Sequence, residues 1–279
     1  EDYLPLEDSV RVADIGRERF YQKHKNQTSI QPWVPIPDEL KNDKGHTVKR
    51  KFTFYSDITL NNVCLALEEA DKSTIWVNGK KINKEFDGWY VDKCIKKVKL
   101  PTLYPGEQVI VIEMPFYLRS RTEWLYVLGD FGVKVSGKFV TAINRAPKIA
   151  FGDVVNQTLP FFTGNITYHT SYTETKTAER TLQIAQFGGA LMRVKVDGID
   201  KGVVAISPNA ISLGIMEKGE HKIDITVFGT RFNGFGPVHN TRKVTEDHGP
   251  GSWRTYDSPM WTDCYLLHPT GILNNPVVY

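Results

Sequence analysis

A strong β-hairpin signal occurs twice in this sequence, about 120 residues apart. The first copy reads TIWVNGKKI over Thr74–Ile82, and the second reads MRVKVDGIDKG, with its turn at Asp197-Gly198. Asn-Gly and Asp-Gly suit a two-residue type I′ turn, because both central residues of that turn need a positive φ. Since alternating apolar and polar residues precede each turn, each copy predicts two paired strands.

A second similarity follows each hairpin. LYPGEQVIVIEM comes after the first hairpin, and MEKGEHKIDITV comes after the second. The turn glycine and the later glycine are 27 residues apart in the first copy (Gly79 to Gly106) and 21 apart in the second (Gly198 to Gly219). The sequence therefore indicates a domain-sized unit present in two copies, rather than a solenoid of short repeats.

The whole pattern predicts an all-β protein made of two tandem jelly-roll β-sandwich domains. Short alternating runs such as KRKFTFYSDI and RTLQIAQF are separated by turn residues, and helical periodicity is weak. A length of 279 residues fits two domains. We expect a β-sandwich domain with an N-terminal connecting segment at residues 1–141 and a second β-sandwich domain at 142–279, joined by a short link near Thr141–Pro147.

Composition and charge argue against several classes of partner. The net charge of +3 arises from 35 basic and 32 acidic residues that are interspersed, so a nucleic-acid partner is not expected. A membrane partner is not expected either, because no apolar run reaches the ~18 residues of a spanning helix. The three cysteines form neither a disulfide framework nor a zinc pattern. The chain begins with no signal peptide, and its compartment stays open between secreted and cytoplasmic.

Several motifs carry a resemblance to a known family. The order V-N-G, then G-W-Y-V-D (Gly88–Asp92), then L-Y-P-G-E-Q-V-I-V-I resembles the galactose-binding-like jelly roll of bacterial glycoside hydrolases. Such domains occur in family 2 enzymes and in rhamnosidase-like enzymes related to family 106. The run Y-V-L-G-D-F-G-V (Tyr126–Val133) is similar to a segment that closes one such domain in the rhamnosidase-like group.

The resemblance covers roughly residues 50–275. It implies a pair of accessory sandwich domains in a multi-domain glycoside hydrolase, with the catalytic domain upstream in the same polypeptide as a partner. Galactose-binding-like domains often hold a structural calcium ion through loop carbonyls and carboxylates. This sequence has no calcium-loop pattern, so we predict no cofactor and leave a structural calcium open.

No catalytic motif stands out, since the sequence lacks G-x-S-x-G, H-E-x-x-H and a Walker A loop. We therefore predict no catalytic residues. Sugar recognition instead needs flat aromatic faces for the C–H face of a pyranose and polar side chains for its hydroxyls, presented by loops. The residues that we predict to bind carbohydrate are Trp89, Trp124, Tyr126, Arg231, Asn233, His239 and Trp253.

The expected function is carbohydrate recognition or support of a catalytic domain. Two alternatives stay open. In the first, the fragment has its own glycoside hydrolase active site, which would need a pair of carboxylates. In the second, the chain is a structural or adhesion module, and its loop aromatics form a flat patch that binds protein.

Overall fold

The computed structural model describes residues 46–116, 125–236, 238, 239, 241 and 262–279. Strands dominate this part of the chain, and almost all their pairings are antiparallel. The prediction of an all-β chain is therefore confirmed. No helix in the described part is long and apolar enough to cross a membrane.

The described residues form nineteen strands. The first ten in the described residues are β1 (His46–Ser56), β2 (Cys64–Glu68), β3 (Thr74–Val77), β4 (Lys80–Lys81), β5 (Phe86–Tyr90), β6 (Asp92–Lys99), β7 (Gly106–Phe116), β8 (Tyr126–Leu128), β9 (Gly132–Ser136) and β10 (Phe139–Ile143). The rest are β11 (Ile166–Glu174), β12 (Ala178–Gln183), β13 (Phe187–Gly188), β14 (Leu191–Val196), β15 (Ile199–Val204), β16 (Ala210–Met216), β17 (Gly219–Phe228), β18 (Gly271–Ile272) and β19 (Val277–Val278). A 3-10 turn covers Val154–Asn156, and a short helix, α1, covers Phe232–Phe235.

The chain divides into two compact units. Of the described residues, unit 1 contains 46–116, 125–131, 139–142 and 262, and unit 2 contains 132–138, 143–236, 238, 239, 241 and 263–279. The units are therefore interleaved along the chain near β9 and β10. The predicted boundary after residue 141, and the tandem jelly-roll arrangement that it implies, stay predictions.

Unit 1 contains two sheets that share one core. Its strands pair in the orders β4-β3-β7-β1-β10 and β5-β6-β2-β8. Alternation in β3 buries Ile75 and Val77 and turns Trp76 to the other face. The core cluster combines residues of the first sheet, such as Ile75 and Ile112, with Leu65 and Val98 of the second. This common burial makes the unit a β-sandwich.

Unit 2 is built in the same way. Its main sheet has the order β11-β17-β14-β15, a second sheet has the order β16-β12-β19, and β13 pairs with β18. The core cluster again joins both sheets, because Val194 and Ile225 of the main sheet pack with Leu182 and Leu213 of the second. Along β17, Ile223, Ile225 and Val227 alternate with polar residues and belong to this core.

The two units repeat one strand order. In the main sheets, β4-β3-β7-β1 corresponds to β15-β14-β17-β11, and in the second sheets, β6-β2-β8 corresponds to β16-β12-β19. Each correspondence also follows the order along the chain. The duplicated sequence pattern thus reports a duplicated topology.

Both predicted hairpin turns are present. Asn78 and Gly79 have φ of 49° and 78°, and Asp197 and Gly198 have φ of 51° and 81°. All four values lie in the left-handed region that a type I′ turn requires and that Asn, Asp and Gly tolerate best. β3 pairs with β4 and β14 pairs with β15, as the Asn-Gly and Asp-Gly signals predict.

A buried ion pair closes the turn between β11 and β12 in unit 2. The guanidinium of Arg180 donates two hydrogen bonds to the carboxylate of Glu174, one of them from Nη2 to Oε1 at 2.9 Å. Oε1 of Glu174 also accepts from the backbone N–H of Thr175 at 2.9 Å and of Lys176 at 3.2 Å. The hydrogen bonds from Arg180, followed by those from the backbone, lower the pKa of Glu174 to about 2.

We expect the Glu174→Gln substitution to remove part of the acid sensitivity of unit 2. Because the folded pKa is depressed, the carboxylate contributes stability that is fully present above the ordinary value of 4.5 and is lost as the pH falls through about 2. Urea unfolding of both proteins across this range should therefore show a stability difference that shrinks towards acid. Glu220→Gln, an exposed change on β17, is the control and should leave the pH profile unchanged. Parallel profiles for the wild type and Glu174→Gln would contradict this assignment.

Candidate functional site

The hairpin of β5 and β6 in unit 1 has an irregular backbone. β5 is an edge strand, and its register with β6 shifts between Phe86 and Trp89 and again between Trp89 and Tyr90. Gly88 has φ of 77° and Val91 has φ of 63°. A positive φ is strained for a β-branched residue, and such strain persists only where the surrounding structure enforces it. The sequence G-W-Y-V-D therefore forms an edge with irregular strand pairing rather than a regular β-ladder.

This hairpin exposes two large aromatic side chains. Trp89 is 52% exposed and Phe86 is 45% exposed. The ammonium group of Lys96, which lies opposite Trp89 in the register, is 5.6 Å from the centroid of the Phe86 ring and 3.1 Å from Oδ1 of Asp71. Lys96 is thus held beside the aromatic surface by a cation–π contact and an ion pair.

A second aromatic pair joins the two outer strands of this sheet, β5 and β8. The ring centroids of Tyr90 on β5 and Tyr126 on β8 are 5.5 Å apart, with an interplanar angle of 56°. Both side chains are half-buried. The structure therefore places the predicted residue Tyr126 against Tyr90, which follows Trp89 in the sequence. We call the group Phe86, Trp89, Tyr90 and Tyr126 the hairpin aromatic cluster.

Charged groups lie next to the hairpin aromatic cluster. Oδ2 of Asp87 is 3.2 Å from Nζ of Lys97, and Lys99 pairs with Glu85. Asp87 lies two residues before Trp89 in the sequence. Lys97 follows Lys96, which is paired with Trp89 in the register. These exposed pairs contribute little to stability.

The two cysteines of this sheet are poor nucleophiles. Partial burial, a hydrogen bond involving Asp92 and the nearby Glu68 raise the pKa of Cys94 to about 12. Burial, followed by the charge of Asp87, raises the pKa of Cys64. Because only the thiolate reacts readily, both sulfurs stay protonated and unreactive near neutral pH.

The predicted residues of unit 2 occupy a different environment. Arg231 is exposed just before α1, but Asn233 is 4% exposed and lies within it. The Asn233 side chain donates from Nδ2 to the carbonyl of His268 at 2.9 Å and accepts at Oδ1 from the N–H of His268 at 2.8 Å. Its amide thus bridges to the main chain near β18, which favours a structural role.

His239 lies in an aromatic group next to this bridge. It is 6% exposed, and its ring centroid is 4.6 Å from that of Tyr265. Phe161 packs edge-on against the same tyrosine, with 5.2 Å between the ring centroids. The ring centroids of Phe232 and His268 are 3.8 Å apart. Burial raises the pKa of Tyr265. These contacts hold the segments around α1 and β18 together in unit 2.

Of the seven residues predicted to bind carbohydrate, Trp89 is exposed on β5 and Tyr126 packs against Tyr90, whereas Asn233 and His239 are buried in unit 2. Trp124 and Trp253 lie outside the described residues. Sequence analysis missed Phe86, although it lies only two residues before the start of G-W-Y-V-D at Gly88. Its signal was the run K-E-F-D-G, where a single large apolar residue stands among charged ones. Within the described residues, no group of three or more His, Cys, Asp or Glu side chains is placed to hold a metal ion.

Comparison with known proteins gives two distant structural similarities. No family model and no curated protein matches the sequence. A rhamnosidase from Novosphingobium sp. PP1Y is 16% identical with a TM-score of 0.33, covering 94% of this chain but only 26% of its own. A lectin of Pleurotus ostreatus in its apo form is 10% identical with a TM-score of 0.24, covering 66% of this chain and 67% of its own. Both TM-scores are below 0.5, so neither similarity indicates a function for this chain.

We expect Asn233→Ala to destabilise unit 2. The substitution removes two part-buried hydrogen bonds to the main chain of His268, each of which contributes about 0.5–1.5 kcal/mol to the free energy of unfolding. Denaturant unfolding measures this difference. Arg231→Ala, an exposed change two residues earlier, is the matched control, with an expected effect within about 0.5 kcal/mol. Equal stability of both variants would contradict the bridging role of Asn233.

Proposed function

We propose that this chain is a non-catalytic, carbohydrate-recognising region of a multi-domain glycoside hydrolase, and that unit 1 contacts the sugar at the hairpin aromatic cluster. The observation that carries this proposal is the 52% exposure of Trp89 on a strained edge hairpin. Tryptophan is on average a highly buried residue, so an exposed one in an ordered strand favours a binding role.

The chemistry of the cluster suits a pyranose ring. An aromatic face covers the C–H groups of a sugar, and neighbouring polar side chains orient its hydroxyls. Trp89 and Phe86 offer the apolar surface, while Asp71 and Lys96 offer an acceptor and a donor beside it. Because the two charged groups are exposed, a ligand can replace their direct contact and form a hydrogen bond with each of them.

Five described carboxyl groups are poor candidates for the general acid of a glycosidase. A glycosidase needs one carboxylic acid whose pKa is raised so that it can protonate the leaving group. Five carboxyl groups in the described part of the chain instead have pKa values held below the ordinary range by ion pairs or hydrogen bonds; they are Asp71, Asp92, Glu174, Asp197 and Asp200. Each of these five is ionised near neutral pH and is a poor general acid.

The proposed partners are a carbohydrate and a catalytic domain of the same polypeptide. The second partner rests on the resemblance of the hairpin motifs to accessory domains of glycoside hydrolases. In that setting, the region would hold substrate near the catalytic domain and would not act on it.

We expect Trp89→Ala to abolish or strongly weaken sugar binding. Titration calorimetry of the 279-residue chain against mono- and oligosaccharides, including rhamnose- and galactose-containing glycans, measures the affinity. Loss of the Trp89 side chain, which the bound sugar would cover, should reduce affinity about tenfold to a hundredfold. Tyr104→Ala is the matched control, because Tyr104 is 68% exposed in unit 1 but lies in the loop between β6 and β7.

Three outcomes would contradict parts of this proposal. Equal losses in Trp89→Ala and Tyr104→Ala, or none in either, would remove the hairpin as the site. An absence of binding to every glycan would leave only the supporting role. Turnover of nitrophenyl glycosides by the chain itself would contradict the non-catalytic assignment.

A further inference from the structure

The two units fasten their hairpin turns with the same hydrogen bonds. The side-chain Oδ1 of Asn78 accepts from the backbone N–H of Val109 at 2.8 Å, and Oδ1 of Asp197 accepts from that of Lys222 at 2.8 Å. In each unit the backbone N–H of the turn residue also donates back to the carbonyl of the same partner, at 2.8 Å. We call this set of contacts the turn clasp.

A second side chain completes each turn clasp from the equivalent position. It is Gln108 in unit 1 and His221 in unit 2, each two residues after the strand-opening glycine. Gln108 donates to the carbonyl of Tyr104 at 2.6 Å, and His221 contacts the carbonyl of Glu217 at 2.8 Å, four residues back in both cases. The geometry is therefore duplicated, while the chemistry changes from two amides to an acid and an imidazole.

The unit 1 clasp does not depend on the protonation state of any group. Nδ2 of Asn78 donates to Oε1 of Gln108 at 2.9 Å, and Nε2 of Gln108 donates to the carbonyls of Tyr104 and Gly106. An amide is a donor on one side and an acceptor on the other at every pH of interest. All of these contacts are satisfied by neutral groups.

The unit 2 clasp presents acceptors to both nitrogens of one imidazole. Nδ1 of His221 is 2.7 Å from Oδ2 of Asp197, and Nε2 is 2.8 Å from the carbonyl oxygen of Glu217. A neutral imidazole has one N–H and can donate to only one of these oxygens. Only the imidazolium donates to both, so the closed clasp requires a protonated His221 and an ionised Asp197.

We propose that the Asp197–His221 clasp is a pH-sensitive fastener of the β14–β15 hairpin onto β17, and that the Asn78–Gln108 clasp is its pH-insensitive counterpart. The fastener is closed in mild acid and loosens in alkali, when His221 loses its second proton. It also loosens in strong acid, when Asp197 is protonated.

The charged surroundings of His221 agree with this reading. On β11, Tyr172 lies opposite His221 in the register and Glu174 adds negative charge, although Glu174 is already paired with Arg180. From the β14–β15 turn, Asp197 faces His221, and Lys201 lies near Asp197. The charged residues close to His221 in the sequence are Glu217, Lys218, Glu220 and Lys222. Among these groups, the negative charges of Asp197 and Glu174 favour the protonated form of the imidazole.

The direction of both shifts defines the pH window. The carbonyl of Glu217, then Asp197, raise the pKa of His221, so its contribution is fully present below 6.5 and is lost as the pH rises through the higher folded value. His221, then the N–H of Lys222, lower the pKa of Asp197, so its contribution is fully present above 3.8 and is lost as the pH falls through the lower folded value. The clasp is therefore strongest between 3.8 and 6.5.

The first test needs no substitution that affects folding. Nitrogen-15 spectra of the histidine side chains, with His221 assigned by its loss in His221→Gln, report the proton on each ring nitrogen. We expect both nitrogens of His221 to be protonated at about pH 6 and its titration midpoint to lie above 6.5. A midpoint at or below 6.5 would overturn the proposal.

The second test exchanges the chemistry of the two clasps. Hydrogen exchange of the Lys222 amide reports opening of the unit 2 clasp, and that of the Val109 amide is the internal control. Between about pH 6 and pH 9, the protection factor at Lys222 should fall about two- to fivefold, the strength of a partly exposed ion pair, while that at Val109 stays constant. Asp197→Asn with His221→Gln should abolish the fall, and Asn78→Asp with Gln108→His should transfer it to Val109. A fall that persists in the first double variant would overturn the proposal.

Discussion

The pair of positive-φ residues at the head of each hairpin is the constraint on which the rest of each unit depends. Once Asn78 and Asp197 adopt the left-handed conformation, their side-chain oxygens reach the backbone of a long central strand, β7 or β17. That contact fixes the register of β3 on β7 and of β14 on β17. A shift of one residue would turn every apolar side chain of these strands from the core to the solvent. The turn therefore selects which faces form the sandwich.

Local chemistry made the strands and turns predictable from the sequence. Alternation in TIWV and in KIDITV is a property of neighbouring residues, and Asn-Gly or Asp-Gly determines the turn within two residues. The all-β class and the duplicated hairpins followed from these signals. The interleaving of the two units near β9 and β10 could not be predicted, because it depends on contacts between residues that are distant along the chain.

The candidate site was predictable only in part, for the same reason. Trp89 could be selected as an aromatic after a hairpin, but its exposure depends on the register shifts in β5. Asn233 stands in a Gly-rich run that indicates an open loop. Its amide instead binds the main chain of His268, 35 residues later, and no local pattern reveals such a bond. Polar residues in glycine-rich segments are thus weak evidence of a site until their hydrogen-bond partners are known.

The irregular register of β5 also bears on self-association. An edge strand offers unpaired N–H and C=O groups that can template the addition of a strand from another molecule. β5 exposes two large aromatic rings at such an edge, a combination that favours aggregation when the strand is flat. The register shifts and the left-handed residues Gly88 and Val91 bend this edge, so that a regular partner strand cannot follow it. The distortion that presents Trp89 to solvent therefore also protects the protein from sheet extension at that edge.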